Sequence, residues 1–322
     1  INFKLINVFL FIFYFIFLTL TQFSTHNIET MDWDINSFIV TSMDFQNGNI
    51  PFEVHYENKP PLLFLNYFIF LKIANGSLLD IKILNDILLF IIVLLLHFTI
   101  LKKTKKLYLS SFCSIIFIVL MSKDWFHPGY SELHSLFYLA LGIYFFESKL
   151  KPRNIALAGI FFSFATLCNL GAVIFIVPFL VSLFLNQKKL DSLFVFLLSF
   201  SIPHLILLTL YSLRGLLNNY IVSMIAIPRS YPRLGSDAIY ELGIFIEEIN
   251  NFSTFINIMI IFIFSRIFSH IFINNNLPNL LKDSSLLFLL FSLLFYLLAS
   301  IGYQHHLIFI IFFISSSGIY LI

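Results

Sequence analysis

Charged side chains are scarce in this sequence: they make up 11% of its 322 residues, against about a quarter in a soluble domain. That leaves too little charge to coat a water-facing globule. Cysteine is scarcer still. Cys113 and Cys168 both fall inside apolar runs, which excludes a disulfide framework and a thiolate metal cluster. The two read as small core residues. The net charge is only +2, and nothing resembles a basic nucleic-acid arm, so no nucleic-acid partner is expected. No repeat recurs at solenoid period and no low-complexity linker interrupts the chain. Residues 1–322 therefore read as a single membrane domain with no separate soluble domain.

What is present is apolar length. Hydrophobic residues make up 59% of the chain, 43 of them phenylalanine, and the mean hydropathy is +0.93. The phenylalanine excess fits coding bias combined with lipid-facing surface. Long apolar runs recur from end to end, too long and unbroken for barrel strands. The expected class is all-α: a polytopic transmembrane protein of about ten spans, with surface-lying helices in its first external loop. The expected spans are about 3–20, 81–100, 107–121, 133–146, 155–167, 170–185, 190–211, 252–273, 286–301 and 307 to the end. The fifth and sixth hinge at Cys168-Asn169, and the seventh kinks near Pro203. Lys4 precedes the first run, which lacks a small-residue cleavage site. A retained helix that doubles as an uncleaved signal is expected there.

One short run decides the topology. Leu62–Ala74 has about 13 residues and carries Lys72, against roughly 20 needed to cross a bilayer. It reads as an interfacial or re-entrant helix. Lys4, the KKTKK run at 102–106, Lys149, Lys151, Arg153, Lys188, Lys189 and Lys282 then share one side. By the positive-inside rule that side is cytoplasmic. The polar loops at 21–61, 122–132, 214–251 and 302–306 share the outer side. A crossing at 62–74 would instead split the basic clusters from Lys4. The expected location is a multi-pass integral membrane protein, in the bacterial inner or plasma membrane, with its chemistry on the periplasmic or external face.

The polar residues of those outer loops are the candidates for function. The first loop, with its juxtamembrane helices at 21–80, holds Asp32, Asp34, Asp44, Glu53, Glu57 and Lys59. Any one of them alone reads as a solvated loop charge. Asp34, however, follows Trp33, an interface-preferring ring, and opens an amphipathic segment, Ile35–Phe45, that reads as lying along the membrane surface. Gly48 and Pro51 then turn the chain, and Lys59-Pro60-Pro61 leads into the short helix. A lysine held there can bind a lipid phosphate. In the second loop, Asp124 and Glu132 are candidate second acids. Glu132 also fits a plain helix-start role against the macrodipole. In the third loop, Arg229 and Arg233 stand among tyrosines, either as phosphate binders or as interface anchors. In the fourth, His305 and His306 read as phosphate hydrogen-bond donors. No metal site is assigned, because adjacent histidines on a helix point to different faces and no third ligand is spaced with them. No cofactor is expected, with a divalent metal left open.

The block Trp33-Asp34, Gly48, Pro51 and Asn58-Lys59-Pro60-Pro61-Leu62 resembles the first external loop of the C-type glycosyltransferases. The nearest group is the protein mannosyltransferase-like family, with its lipid A aminoarabinose and lipopolysaccharide sugar transferases. Ser131-Glu132 resembles the family's second acidic site. Gly302–His306 resembles its late His-Tyr motif, with His306 where a tyrosine is usual. The resemblance implies a polyprenyl-phosphate sugar donor, membrane lipids as surroundings, and a lipid, glycan or protein acceptor. It implies inverting transfer on the external face. Asp34 would be the base and Glu132 its partner, while Lys59, Arg229, Arg233, His305 or His306 would meet the leaving phosphate. Ile35 departs from the family, where a second acid follows the aspartate. Asp32 is therefore the alternative base, as Asp124 is the alternative second acid. Two other readings compete: a transporter or flippase of a lipid-linked sugar, and a non-catalytic member of a polysaccharide assembly complex.

Overall fold

The computed structural model describes residues 3–26, 31–122, 129–147, 151–187, 190–230, 284–298 and 304–317. Every regular element among them is helical. In order these are α1 (Phe3–His26), α2 (Trp33–Met43), α3 (Pro61–Ile73), α4 (Leu78–Thr104), α5 (Leu107–Met121), α6 (Ser131–Phe146) and α7 (Pro152–Thr166). Then follow α8 (Ile176–Gln187), α9 (Leu190–Leu213), α10 (Leu217–Ile221), α11 (Ile227–Ser230), α12 (Ser284–Leu298) and α13 (Leu307–Ser317). The eighth expected span, Asp124 and Arg233 lie outside the described residues.

Local chemistry accounts for the helix boundaries. Ser77 caps α4 by accepting from the Asp80 amide at 3.2 Å. Lys102 and Lys103 fall in its last turn, where the macrodipole favours cations. Pro61 and Pro152 occupy first-turn positions of α3 and α7, where a missing N–H costs nothing. Among the described residues two helices, α4 with 27 residues and α9 with 24, are long and apolar enough to cross a membrane. At 1.5 Å per residue they reach about 40 and 36 Å, beyond a hydrocarbon core of about 30 Å. The apolar helices α3, α5, α12 and α13 are shorter than this, with 13, 15, 15 and 11 residues.

From α4 to α7 the helices alternate in direction. At one end Lys103 from α4 meets Glu147 after α6 at 3.9 Å and Ser285 of α12 at 2.9 Å, and Ser284 donates to Glu147. At the other end Gln22 of α1 donates to the Met121 carbonyl that closes α5, at 2.8 Å. At that end too, the Leu62 amide opening α3 donates to the Leu167 carbonyl just past α7, at 3.0 Å. The described parts of the polar loops at 21–61, 122–132 and 302–306 therefore gather opposite the Lys103 cluster.

Two cores hold the chain together. The larger runs through α1, α4–α9, α12 and α13 around Phe117, Phe162, Phe175, Phe179 and Phe196, all fully or almost fully buried. The smaller gathers Ile35, Phe38 and Ile39 of α2 with Leu63, Phe64 and Tyr67 of α3. The inner face of α2 is thus covered by protein, whereas the sequence pattern alone reads it as facing the membrane surface. Val40, Met43 and Trp33 remain exposed on its outer side. The loop between α2 and α3 is pinned from the far part of the chain. Tyr211 on α9 donates to the Pro51 carbonyl at 2.9 Å, and Asn219 on α10 donates to the Phe52 carbonyl at 2.9 Å.

Candidate functional site

The site is assembled from four separate stretches. The first contributes Asp32 and Asp34. Asp32 caps α2, its Oδ1 accepting from the Asp34 amide at 3.0 Å. Its charge also acts on the nearby Tyr130 phenol. Capping gives Asp32 a structural task, while the Asp34 side chain stands in the first turn, half-buried. Burial raises the Asp34 carboxyl above its ordinary value; Lys59 opposes this, and the charges of Asp32, Glu132 and Glu57 add to it.

The second stretch carries Lys59, half-buried between the turn at Gly48 and the start of α3. Gly48 has φ +79°, the left-handed conformation that ends the short 3-10 turn Asp44–Asn47. Glu57 is tied back to α2 through Ser37, whose hydroxyl donates to it at 3.1 Å. Lys59 is near enough to act electrostatically on Asp34, Glu132 and His305 together.

The third stretch is Gly129-Tyr130-Ser131-Glu132 at the head of α6. Gly129 has φ +135°, and a Cβ there would stand 2.9 Å from the Tyr67 hydroxyl and 3.0 Å from Asn85 Nδ2. Tyr67 donates to the Gly129 carbonyl, fixing this turn against α3. Glu132 is 1% exposed. Its Oε1 accepts from Asn169 Nδ2 at 2.7 Å, and its Oε2 from Ser131 at 3.1 Å. Asn169 is held by its own backbone turn, its Oδ1 accepting from the Gly171 amide at 2.9 Å. Burial alone would raise the Glu132 carboxyl, but His305, Lys59 and His306 hold it well below the ordinary carboxylate range.

The fourth stretch is the turn Gln304–His306 before α13. His305 stacks on Tyr130 with ring centroids 4.3 Å apart. His305 and His306 place Nε2 at 4.0 and 3.3 Å from Glu132 Oε1. Burial pushes the His305 imidazole down to about 4. These three residues form the one cluster among the described residues that could hold a metal ion, with their ligand atoms within 4.8 Å of one another. The sequence assigned no metal site but left a divalent metal open, and this cluster keeps it open. The histidines occupy a 3-10 turn rather than opposite faces of an α-helix, and the third ligand comes from 173 positions earlier in the chain, too distant for a spacing rule to find.

Asp32, Asp34, Lys59, Glu132, His305 and His306 thus meet at one end of the helices. Arg229 falls in α11, and its side chain, with Asp124 and Arg233, lies outside what the structure describes. Asn169 was legible only as a hinge; its grip on Glu132 had no sequence signal beyond a polar residue between two apolar runs. Tyr211 and Tyr220 pack on Phe52. Comparison with protein-family models, with curated proteins and with solved structures found no match. The functional reading therefore stands on this geometry and on the sequence.

Proposed function

We propose that this protein is an integral-membrane glycosyltransferase that moves a sugar from a polyprenyl-phosphate donor to an acceptor hydroxyl on the external face, with inversion. One observation carries the reading: a half-buried carboxylate, a lysine and an anchored second carboxylate, far apart in sequence, converge at one end of an apolar helical chain. In the proposed step Asp34 takes the proton from the acceptor hydroxyl as its oxygen bonds to the anomeric carbon. The bond from that carbon to the donor phosphate breaks, and the phosphate leaves with the electron pair. A carboxyl raised by burial is a better base near neutral pH than an ordinary one. Lys59 offsets the charge growing on the leaving phosphate, and an N–H of His305 or His306 donates a hydrogen bond to it. Glu132, fixed by Asn169 and Ser131, orients the acceptor side of the site. Asp32 is the weaker base candidate because capping already engages it.

On this reading α1, α5–α8, α12 and α13 also cross the bilayer, α3 lies at its surface, and the basic end at Lys103 faces the cytoplasm. The test is transfer in reconstituted vesicles with a labelled polyprenyl-phosphate sugar and envelope acceptors, comparing wild type with Asp34→Asn and Glu132→Gln. Loss of transfer in both, with the fold retained, supports the assignment. Full transfer by Asp34→Asn refutes Asp34 as the base. Donor movement across the bilayer without transfer replaces the enzyme by a transporter.

A further inference from the structure

We propose that Glu132, His305 and His306 bind one divalent transition-metal ion of the zinc class. The donor set is one carboxylate oxygen and two imidazole nitrogens. Magnesium and calcium favour shells made of oxygen, whereas imidazole suits zinc, cobalt and their neighbours. Three protein ligands with an open fourth position is the pattern of zinc sites that meet a substrate or water.

The spacing fits. Bonds of about 2.0–2.1 Å in a tetrahedral shell put ligand atoms about 3.3–3.4 Å apart. The Glu132–His306 edge is already 3.3 Å, and the Glu132–His305 edge is 4.0 Å. The full set lies within 4.8 Å, so drawing in His305 closes the shell.

The surroundings are those of a held site. Asn169 and Ser131 fix both oxygens of Glu132 at 2.7 and 3.1 Å. The Tyr130 ring stacks on His305, and Phe295 stands edge-on to His306 at 5.6 Å between ring centroids. Groups that orient ligands in this way tune metal affinity by about 10–100-fold. The ion would join the head of α6 to the head of α13, two segments that have no covalent neighbourhood. Under the glycosyl-transfer reading its open position faces an oxygen of a bound molecule, but metal binding itself does not rest on that reading.

The test uses the full chain purified in detergent, stripped with a chelator and titrated with Co²⁺ as a spectroscopic probe. Visible absorption should saturate at about one equivalent per chain and be displaced by Zn²⁺. Glu132→Gln and His306→Ala should abolish the signal, and Asn169→Ala should weaken binding about 10–100-fold. His55→Ala, a histidine beside Asp44 at 2.8 Å, should change nothing. Circular dichroism and gel filtration report whether each variant folds; where one does not, the wild-type titration decides. Folded wild type that binds no Co²⁺ overturns the proposal, as does unchanged binding in folded Glu132→Gln and His306→Ala. Failure of sugar transfer leaves the Co²⁺ result standing, so the two readings fail separately.

Discussion

Gly159→Ala offers a quantitative test of how the helices around the site are packed. Gly159 sits in the middle of α7, against α9. A Cβ added there would lie 2.7 Å from the Phe196 carbonyl oxygen and 3.1 Å from the Phe200 amide nitrogen, while ordinary contact begins at 3.4 Å. The shortfall to the oxygen, 3.4 minus 2.7, is about 0.7 Å. Two of the obstructing atoms are backbone and the third, Ser199 Cβ at 2.9 Å, is fixed to it, so no rotamer change relieves it and α9 must move as a body. Overpacking of this kind costs about 1–3 kcal/mol. Replacing a helical glycine by alanine returns about 0.5–1 kcal/mol. The net expectation is a loss on the order of 1–2 kcal/mol, roughly a five- to thirtyfold shift in the folding equilibrium. Gly142→Ala on α6 makes a useful contrast, because its Cβ would meet ring carbons of Phe162 at 2.6 and 2.8 Å. There the obstruction is a side chain. Phe162→Ala should therefore cost less in the Gly142→Ala background than its usual 3–5 kcal/mol. Thermal or denaturant unfolding in detergent measures both. A Gly159→Ala chain as stable as wild type, or more so, refutes the close α7–α9 approach.

Asp34→Asn should lower sugar transfer by about 10²–10⁴-fold, the usual contribution of a general base, read as kcat/KM at saturating donor. The same substitution should raise the melting temperature at neutral pH. The raised Asp34 carboxyl favours folding in its protonated form, and that contribution is lost as pH rises through its folded value. Well below the ordinary carboxylate range the gain should vanish; a gain that persists there contradicts the burial argument. Lys59→Gln should move the acid limb of the wild-type pH profile to higher pH, because Lys59 holds the Asp34 carboxyl down. Tyr211→Phe should cost about 1–3 kcal/mol by leaving the Pro51 carbonyl without its buried donor. It should also speed proteolysis of the 44–60 loop.

Helix placement was largely legible from apolar runs and caps. The run 107–121 is α5 as read, and the short run at 62–74 is α3 with the proline start its sequence announces. The Gly48 turn follows from a residue type that takes positive φ. Membrane helices are written locally, in runs of apolar residues, so their positions can be read locally. The count of ten spans is another matter, because most of these helices are shorter than a bilayer core and length alone does not settle whether they cross it. The inner face of α2 was misread for a related reason: an apolar face has the same pattern whether lipid or α3 covers it. The site was half legible. Asp34, Lys59 and Glu132 stood out as charges that an apolar chain retains at loop positions. Their meeting with His305, His306 and Asn169 depends on how α6, α7 and α13 are packed, and no spacing rule reaches across 173 residues.

The origin of His305 and His306 so late in the chain has a consequence for biogenesis. A chain emerging from the ribosome presents Asp34, Lys59 and Glu132 long before the two histidines exist, and segments fold in the order they are made. The cluster around Glu132 stays incomplete until α13, the last described helix, comes in against α5 and α12. Under the proposed function, competence for chemistry would wait on the arrival of α13, and a chain stalled before it would carry an unfinished site rather than a premature one.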